Sequence, residues 1–168
     1  MVWTGTQGAD TNIQLEPPND ADLGTTQTYP VGYSFIYEHA TYGQQRRVYV
    51  KHTGADASYE GAIAQETTAG TVGLVKIGAD DDSLAGAGAY IGIVAQNHFT
   101  WLIVEGQGLG KNTSGGNLNA GVEMVPDNGG GFKAAAVPGV GVIGRTAAAI
   151  NNTATGTCSY HVRNWWGK

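Results

Sequence analysis

Histidine, serine and cysteine are the residue types of this chain that could supply metal ligands or nucleophiles. The four histidines do not show the HxH or HExxH spacing of a metal site. Cys158 and His161 are three residues apart, so on a strand their side chains project from opposite faces. None of the serines lies in a GxSxG turn, which exposes the nucleophile of many hydrolases. We therefore expect neither a bound metal nor nucleophilic catalysis.

Two stretches resemble ligand-binding loops only superficially. Residues 106–113 are rich in glycine, but Glu105 and Asn112 stand where the phosphate-binding Walker pattern requires a glycine and a Ser or Thr. The acidic run at residues 80–82 lacks the alternating ligands and distal Glu of an EF-hand. The sequence predicts a glycine-rich hairpin loop and a solvated acidic turn at these places, and no cofactor.

The composition disfavours nucleic acid and membranes as partners. The net charge is −5, only 14% of residues are charged against about 25% in typical domains, and the one basic cluster is Arg46, Arg47 and Lys51. No window approaches 18 consecutive apolar residues, and the first residues do not resemble a signal peptide. The single cysteine, Cys158, cannot form an intrachain disulfide and is expected to be a small buried apolar residue.

Short apolar runs separated by Gly, Asn and Asp predict the elements of the fold. Tyr33, Phe35 and Tyr37 alternate with smaller residues, and the run at 46–52 places Val48 and Val50 on one face and Tyr49 on the other. No segment of ten residues shows a helical apolar period. Strands at intervals of about 8–12 residues indicate an all-β fold, a compact barrel or sandwich.

One strand pair is the clearest of these signals. Residues 89–95 and 99–104 form two apolar runs around a short turn, and the pattern recurs more weakly at 140–146 and 157–162. We interpret the two pairs as repeated hairpins of a barrel core. Their predicted packing residues are Ile91, Ile93, Trp101 and Ile103.

The two ends of the chain supply the candidate binding residues. Residues 1–28 have no apolar periodicity and predict an extended arm before a β domain at 29–168, although a terminus without fixed contacts fits equally well. Near the other end, aromatic residues beside an arginine suggest an interface, or a tryptophan that seals the core. The candidate contact residues are Val2, Trp3, Ile13, Leu15, Arg163, Trp165 and Trp166.

Several short sequence motifs together support a family resemblance over about residues 29–162. The chain resembles small virion structural proteins of tailed bacteriophages, several of which decorate or cement capsids. The resemblance fixes no catalytic residue, and the arm at 1–28 departs from the compact members. The motifs are residues 29–32, residues 42–43 leading to 48–51, residues 90–94, 101–106, 119–122 and 142–145.

The resemblance implies a non-enzymatic cement protein on the outer surface of an icosahedral shell. Its expected partner is the major capsid protein, together with copies of itself as a trimer or another oligomer. Its expected location is the virion surface, after folding in the host cytoplasm.

Two alternatives remain open. The first is a glycan-binding module or a fibre or spike component, in which Tyr and Trp on strands could stack on sugars. The second is a small hydrolase, which would need a catalytic triad that only folding brings together.

Overall fold

In a computed structural model of the protein, the regular structure of the described residues consists of ten β-strands and one short 3-10 turn at Asn128–Gly130. The structure describes residues 21–68, 73–79, 85–139 and 141–162. The predicted all-β fold is confirmed for these residues, and none of their helices could cross a membrane. The strands are β1 Ser34–His39, β2 Gly43–His52, β3 Ile63–Glu66, β4 Leu74–Ile77, β5 Gly86–Tyr90, β6 Phe99–Lys111, β7 Glu123–Pro126, β8 Phe132–Ala134, β9 Gly144–Thr146 and β10 Thr155–His161.

Five of the strands close into a ring. The order β2-β4-β3-β5-β6 is hydrogen-bonded from neighbour to neighbour, and β6 pairs in turn with β2. The β2–β4 pairing is parallel and short, at Lys51 and His52, whereas the β2–β6 pairing is antiparallel and runs from Gln45 to Lys51. Of the two predicted architectures, this closure makes the fold a barrel.

Alternate residues of the ring strands fill the barrel. Val48 and Val50 belong to the interior cluster while Tyr49 faces outward, as the alternation predicted. The other strands contribute mostly small or aliphatic side chains, because the interior of so narrow a barrel has little room. The interior residues on the ring strands are Val48, Val50, Ala64, Val75, Ala87, Tyr90, Leu102 and Val104.

The long strands β2 and β6 continue beyond the ring and pair with further strands. β1 pairs with the first half of β2, and β10 pairs with residues 105–111 of β6, followed by β9, β7 and β8. At the point where β6 leaves the ring, its register against β2 shifts beside Val104, and Gly106 adopts a φ of 105°. The bulge and Gly106 therefore allow β6 to pair with β2 in the ring and with β10 beyond it.

The glycine-rich stretch after Glu105 is strand, so the predicted hairpin loop is wrong. The glycines leave room for packed side chains. A Cβ at Gly108 would lie 2.7 Å from Ile103 Cδ1, and one at Gly110 would lie 2.7 Å from Tyr160 Oη. The alternation of glycines thus follows from packing across the sheet rather than from a turn.

Two more clusters pack outside the barrel. One lies between the barrel wall and the β10-β9-β7-β8 extension, and it contains Cys158 as the predicted buried apolar residue. The other is aromatic, with Tyr49, Phe99 and Trp101 buried under the partly buried Tyr29. The rest of the first cluster is Ile63, Ala89, Ile103, Met124, Phe132, Ile143, Ile150 and Tyr160.

The predicted hairpins are only partly correct. β9 and β10 pair antiparallel, and β5 pairs with β6 through Ala89 and Tyr90, but β5 ends at Tyr90 and residues 91–98 form a loop. Trp101 and Ile103 are buried as predicted, Ile91 is half-buried, and Ile93 is 70% exposed. The prediction that Ile93 packs in the core is therefore wrong, because its segment has left the sheet.

We expect Leu102→Ala to lower the free energy of unfolding by about 2–5 kcal/mol, since it opens a cavity in the filled barrel. The matched control is Leu74→Ala on β4, where the side chain is 38% exposed, with an expected loss below about 1 kcal/mol. Urea unfolding followed by circular dichroism measures both. Equal losses in the two variants would contradict the assignment of the barrel interior.

Candidate functional site

The seven predicted contact residues lie outside the described residues: Val2, Trp3, Ile13, Leu15, Arg163, Trp165 and Trp166. The described part of the predicted arm begins at Ala21 and lies against the barrel. Other candidate sites lie on the described surface and among the buried polar groups.

Asp22, in the segment before β1, forms hydrogen bonds to the loop before β6. Its Oδ1 lies 2.6 Å from His98 Nδ1 and accepts a hydrogen bond from the Gly24 amide at 2.9 Å. Its Oδ2 accepts from the Ala95 amide at 3.3 Å. Burial raises the pKa of Asp22, but the hydrogen bonds from Gly24, His98 and Ala95 outweigh it, and the pKa lies below its usual value. Leu23 and Phe99 add a backbone hydrogen bond of 3.0 Å beside it.

The loop at residues 91–98 exposes Ile93 to solvent, and hydrogen bonds fix the residues before and after it. The Ser58 hydroxyl donates to the Gly92 carbonyl at 2.8 Å, and the Ser58 amide donates to the Val94 carbonyl at 3.1 Å. Val94 is fully buried with the barrel cluster, whereas Ile93 is the most exposed of the large hydrophobic residues described. We call residues 91–98 the Ile93 loop. It combines an ordered backbone with a projecting aliphatic side chain.

Three other large aliphatic side chains are exposed in the described part of the chain. Ile36 lies on β1, Leu74 on β4 and Val137 in the loop after β8. They lie on three different elements, so the exposed apolar surface does not come from a single segment of the chain. The sequence showed their hydrophobicity but not their exposure, because a period-two pattern does not tell which face is covered.

His52 and Tyr90 form a buried polar pair within the barrel. Nε2 of His52 lies 2.8 Å from the Asp56 carbonyl and must donate to it, since a carbonyl only accepts. Nδ1 then accepts from the Tyr90 hydroxyl at 2.7 Å. Burial lowers the pKa of His52 below 6.5 and raises that of Tyr90 far above its usual value. A neutral imidazole with both nitrogens satisfied supports the structure and is not available as a base.

Arg47 is a buried cation without an acidic partner among the described residues, and the sequence had assigned it only to a small basic cluster. Its side chain is 2% exposed, and its guanidinium lies 3.8 Å from the centre of the Tyr37 ring. Nε and Nη2 donate to Gln45 Oε1 at 3.0 and 2.7 Å, while Nη1 has no hydrogen-bond partner. Burial lowers the pKa of Arg47 to about 10, although Tyr37 partly offsets it. The one sequence signal was its position on the same face of β2 as Tyr49.

A small polar cavity adjoins Arg47. It has a volume of about 220 Å³ and is bordered from different elements by Gln45, His39, Tyr42 and Glu60. A second, larger depression of about 680 Å³ lies over β9 and β10. Its charged residues Glu123 and Arg145 are already joined by an ion pair of 2.8 Å. Within the described ranges, no three His, Cys, Asp or Glu residues come together to hold a metal ion.

No protein-family model matches the chain, and no curated protein matches it. The Ile93 loop and the cavity beside Arg47 are the candidate sites in the described part of the chain.

We expect the protein to lose stability on acidification below pH 6.5 because of His52. The folded state depresses the pKa of His52 and so binds fewer protons than the unfolded state. Its full stabilisation is present above pH 6.5 and is lost as the pH falls toward the folded pKa, by up to about 1.4 kcal/mol per pH unit. Urea unfolding at a series of pH values measures the slope.

The variant His52→Gln should flatten this slope, at the expense of lower stability at pH 7 from the disturbed Tyr90 hydrogen bond. The exposed His161→Gln is the matched control and should keep the wild-type slope. An unchanged slope in His52→Gln would show that other groups cause the pH dependence.

Proposed function

We propose that this chain is a non-enzymatic structural protein of a tailed-bacteriophage virion. It binds the outer surface of the capsid and stabilises the shell by bridging subunits of the major capsid protein. The observation that carries the proposal is the Ile93 loop, in which an ordered backbone holds a large aliphatic side chain 70% exposed. The resemblance over residues 29–162 supplies the class of partner.

The Ile93 loop has the properties of a binding surface. An exposed aliphatic side chain gains free energy when a partner covers it, by about 25 cal/mol per Å² of apolar surface removed from water. The hydrogen bonds from Ser58 to Gly92 and Val94 already fix the loop, so little conformational entropy remains to be lost on binding. A single such contact is enough to act as an anchor within a larger interface.

The other exposed aliphatic residues favour contact at several points. Ile36, Leu74 and Val137 lie on different elements, and each could meet a different neighbour on a shell. Several weak contacts to a repeating surface raise the overall avidity without any strong single contact. The neighbours in this proposal are capsid subunits and other copies of the chain, at the virion surface.

We expect Ile93→Ser to weaken binding to undecorated shells about tenfold, because it removes the anchor while leaving the loop backbone in place. Ala148→Ser is the control, since that residue is exposed between β9 and β10 and is not one of the proposed contacts. Co-sedimentation of purified protein with shells over a concentration series measures both affinities. Unchanged binding by Ile93→Ser, or no co-sedimentation of the wild type at micromolar protein, would refute the proposal.

A deletion separates the arm from the barrel. Removing residues 1–20 should weaken shell binding while leaving the β circular-dichroism spectrum intact. The cut is placed before Asp22 because residues 21–28 hold the barrel through Asp22 and through the Thr28 amide, which donates to Tyr49 Oη at 3.1 Å. A deletion of residues 1–28 is the comparison and should also lower the unfolding midpoint. Full shell binding by the shorter deletion would exclude a role for the arm.

A further inference from the structure

The outer edge of β1 leaves main-chain hydrogen-bonding groups open. β1 lies at one end of the sheet and pairs only with β2. The Tyr49 amide donates to the Tyr33 carbonyl at 2.8 Å, and this bond fixes the alternation of the antiparallel ladder that follows. The N–H and C=O groups that point away from β2 are those of Ser34, Ile36 and Glu38. No backbone hydrogen bond to these three residues occurs elsewhere in the described part of the chain.

The side chains along this edge are accessible as the structure stands. Ile36 is 45% exposed, Ser34 and Glu38 are exposed, and no residue of β1 is buried. Phe35 and Tyr37 are half-buried on the opposite face of the strand. A strand added to this edge therefore meets an aliphatic side chain on one face and aromatic side chains on the other.

The other end of the sheet is protected, whereas β1 is not. β8 is only three residues long, the Thr113 amide donates to the Phe132 carbonyl at 2.9 Å, and Asn112 forms a bridge with Phe132. β1 is six residues long, contains neither lysine nor proline, and pairs with β2 without a bulge. Short length, lysine, proline and bulges are the usual features that keep an edge strand from pairing with another chain.

We propose that the β1 edge pairs with the β1 edge of a second copy of this chain, so that two sheets join across a two-fold axis. The strands run antiparallel, with Ile36 opposite the partner's Ile36 and Ser34 opposite the partner's Glu38. All the outward N–H and C=O groups of the three residues are then used, in about six main-chain hydrogen bonds.

The side chains of β1 are complementary to themselves in this register. The two copies of Glu38 lie toward opposite ends of the joined strands, about 13 Å apart at about 3.3 Å per residue. A shift that sets Glu38 opposite the partner's Glu38 brings two carboxylates together and pairs fewer main-chain groups. On the other face Phe35 lies opposite the partner's Tyr37, and such aromatic cross-strand pairs stabilise a sheet. Aliphatic thus meets aliphatic, aromatic meets aromatic, and carboxylate meets hydroxyl.

The small contact area limits the affinity of this dimer. A pair of six-residue strands covers much less than the roughly 1,600 Å² of a standard interface, so we expect a dissociation constant on the order of 100 µM. The dimer forms in the absence of any shell. The inference and its test therefore do not depend on the proposed capsid role.

Sedimentation velocity of the full chain from about 5 to about 500 µM, a range that brackets the expected constant, tests for the dimer. We expect a reversible rise from monomer toward dimer mass. Amide hydrogen exchange measured by NMR on the same samples locates the contact. The amides of Ser34, Ile36 and Glu38 should become more protected as the concentration rises, whereas those of Phe35 and Tyr37, which face β2, should be protected throughout.

Two charge variants test the register. Ile36→Lys and Ile36→Glu each set like charges opposite one another, so each alone should weaken dimerisation about three- to tenfold. An equal mixture of the two should recover the dimer, because lysine then faces glutamate. The matched controls are Leu74→Lys and Leu74→Glu, at an exposed aliphatic residue of β4, which should dimerise like the wild type.

A third variant tests the main-chain bonds. Ile36→Pro removes the amide at the centre of the joined strands, which β2 does not use, and proline is tolerated at such a position of an edge strand. It should weaken dimerisation at least about tenfold while the β circular-dichroism spectrum is kept, because both central hydrogen bonds are lost.

The inference is supported by a concentration-dependent dimer that each charge variant weakens and their mixture recovers. A monomer at every concentration would overturn it. So would protection of the Ser34, Ile36 and Glu38 amides that does not change with concentration, since the edge would then be covered from within the same chain. A dimer that Ile36→Pro leaves unchanged would exclude the β1 edge, and a mixture without recovery would exclude the register centred on Ile36.

Discussion

The pairing of β2 with β6 is the constraint on which the rest of the structure depends. It closes the five-stranded ring, and the same two strands then extend beyond it to carry β1 on one side and the β10-β9-β7-β8 extension on the other. The inward side chains of these strands fill the barrel, and their outward side chains build two further clusters. Arg47 and Tyr49 occupy the outer face of β2, so the cavity and the aromatic cluster both derive from this pairing.

Local patterns allowed much of this fold to be predicted. Alternation identified β1 and β2 and assigned Val48, Tyr49 and Val50 to the correct faces, because strand geometry fixes side-chain direction within a few residues. The sequence does not distinguish a barrel from a sandwich, since ring closure depends on a contact between residues about fifty positions apart. The glycines after Glu105 suggest a loop in the sequence, because the packing of Ile103 and Tyr160 against Gly108 and Gly110 is not visible there.

The candidate surfaces were harder to predict than the core. Ile93 looked like a core residue because hydrophobicity alone does not show that the chain has left the sheet at Tyr90. The sequence shows Arg47 only as a member of a small basic cluster, because its burial requires Tyr37 and Gln45 from a folded hairpin. Whether a single side chain is exposed or buried depends on the tertiary structure. The sequence predicts it only where apolar and polar residues alternate regularly along a strand.

The distance along the chain between β2 and β6 also determines when the barrel can form during synthesis. β2 ends at His52 and β6 begins at Phe99, with β3, β4 and β5 between them. A ribosome adding about 5–20 residues per second needs several seconds to complete this stretch and release it. Until then β2 has β1 on one edge and a row of unpaired amides and carbonyls on the other, which is the arrangement most prone to pair with another chain. The nascent chain therefore exposes this strand edge at a stage when the mature barrel does not yet exist.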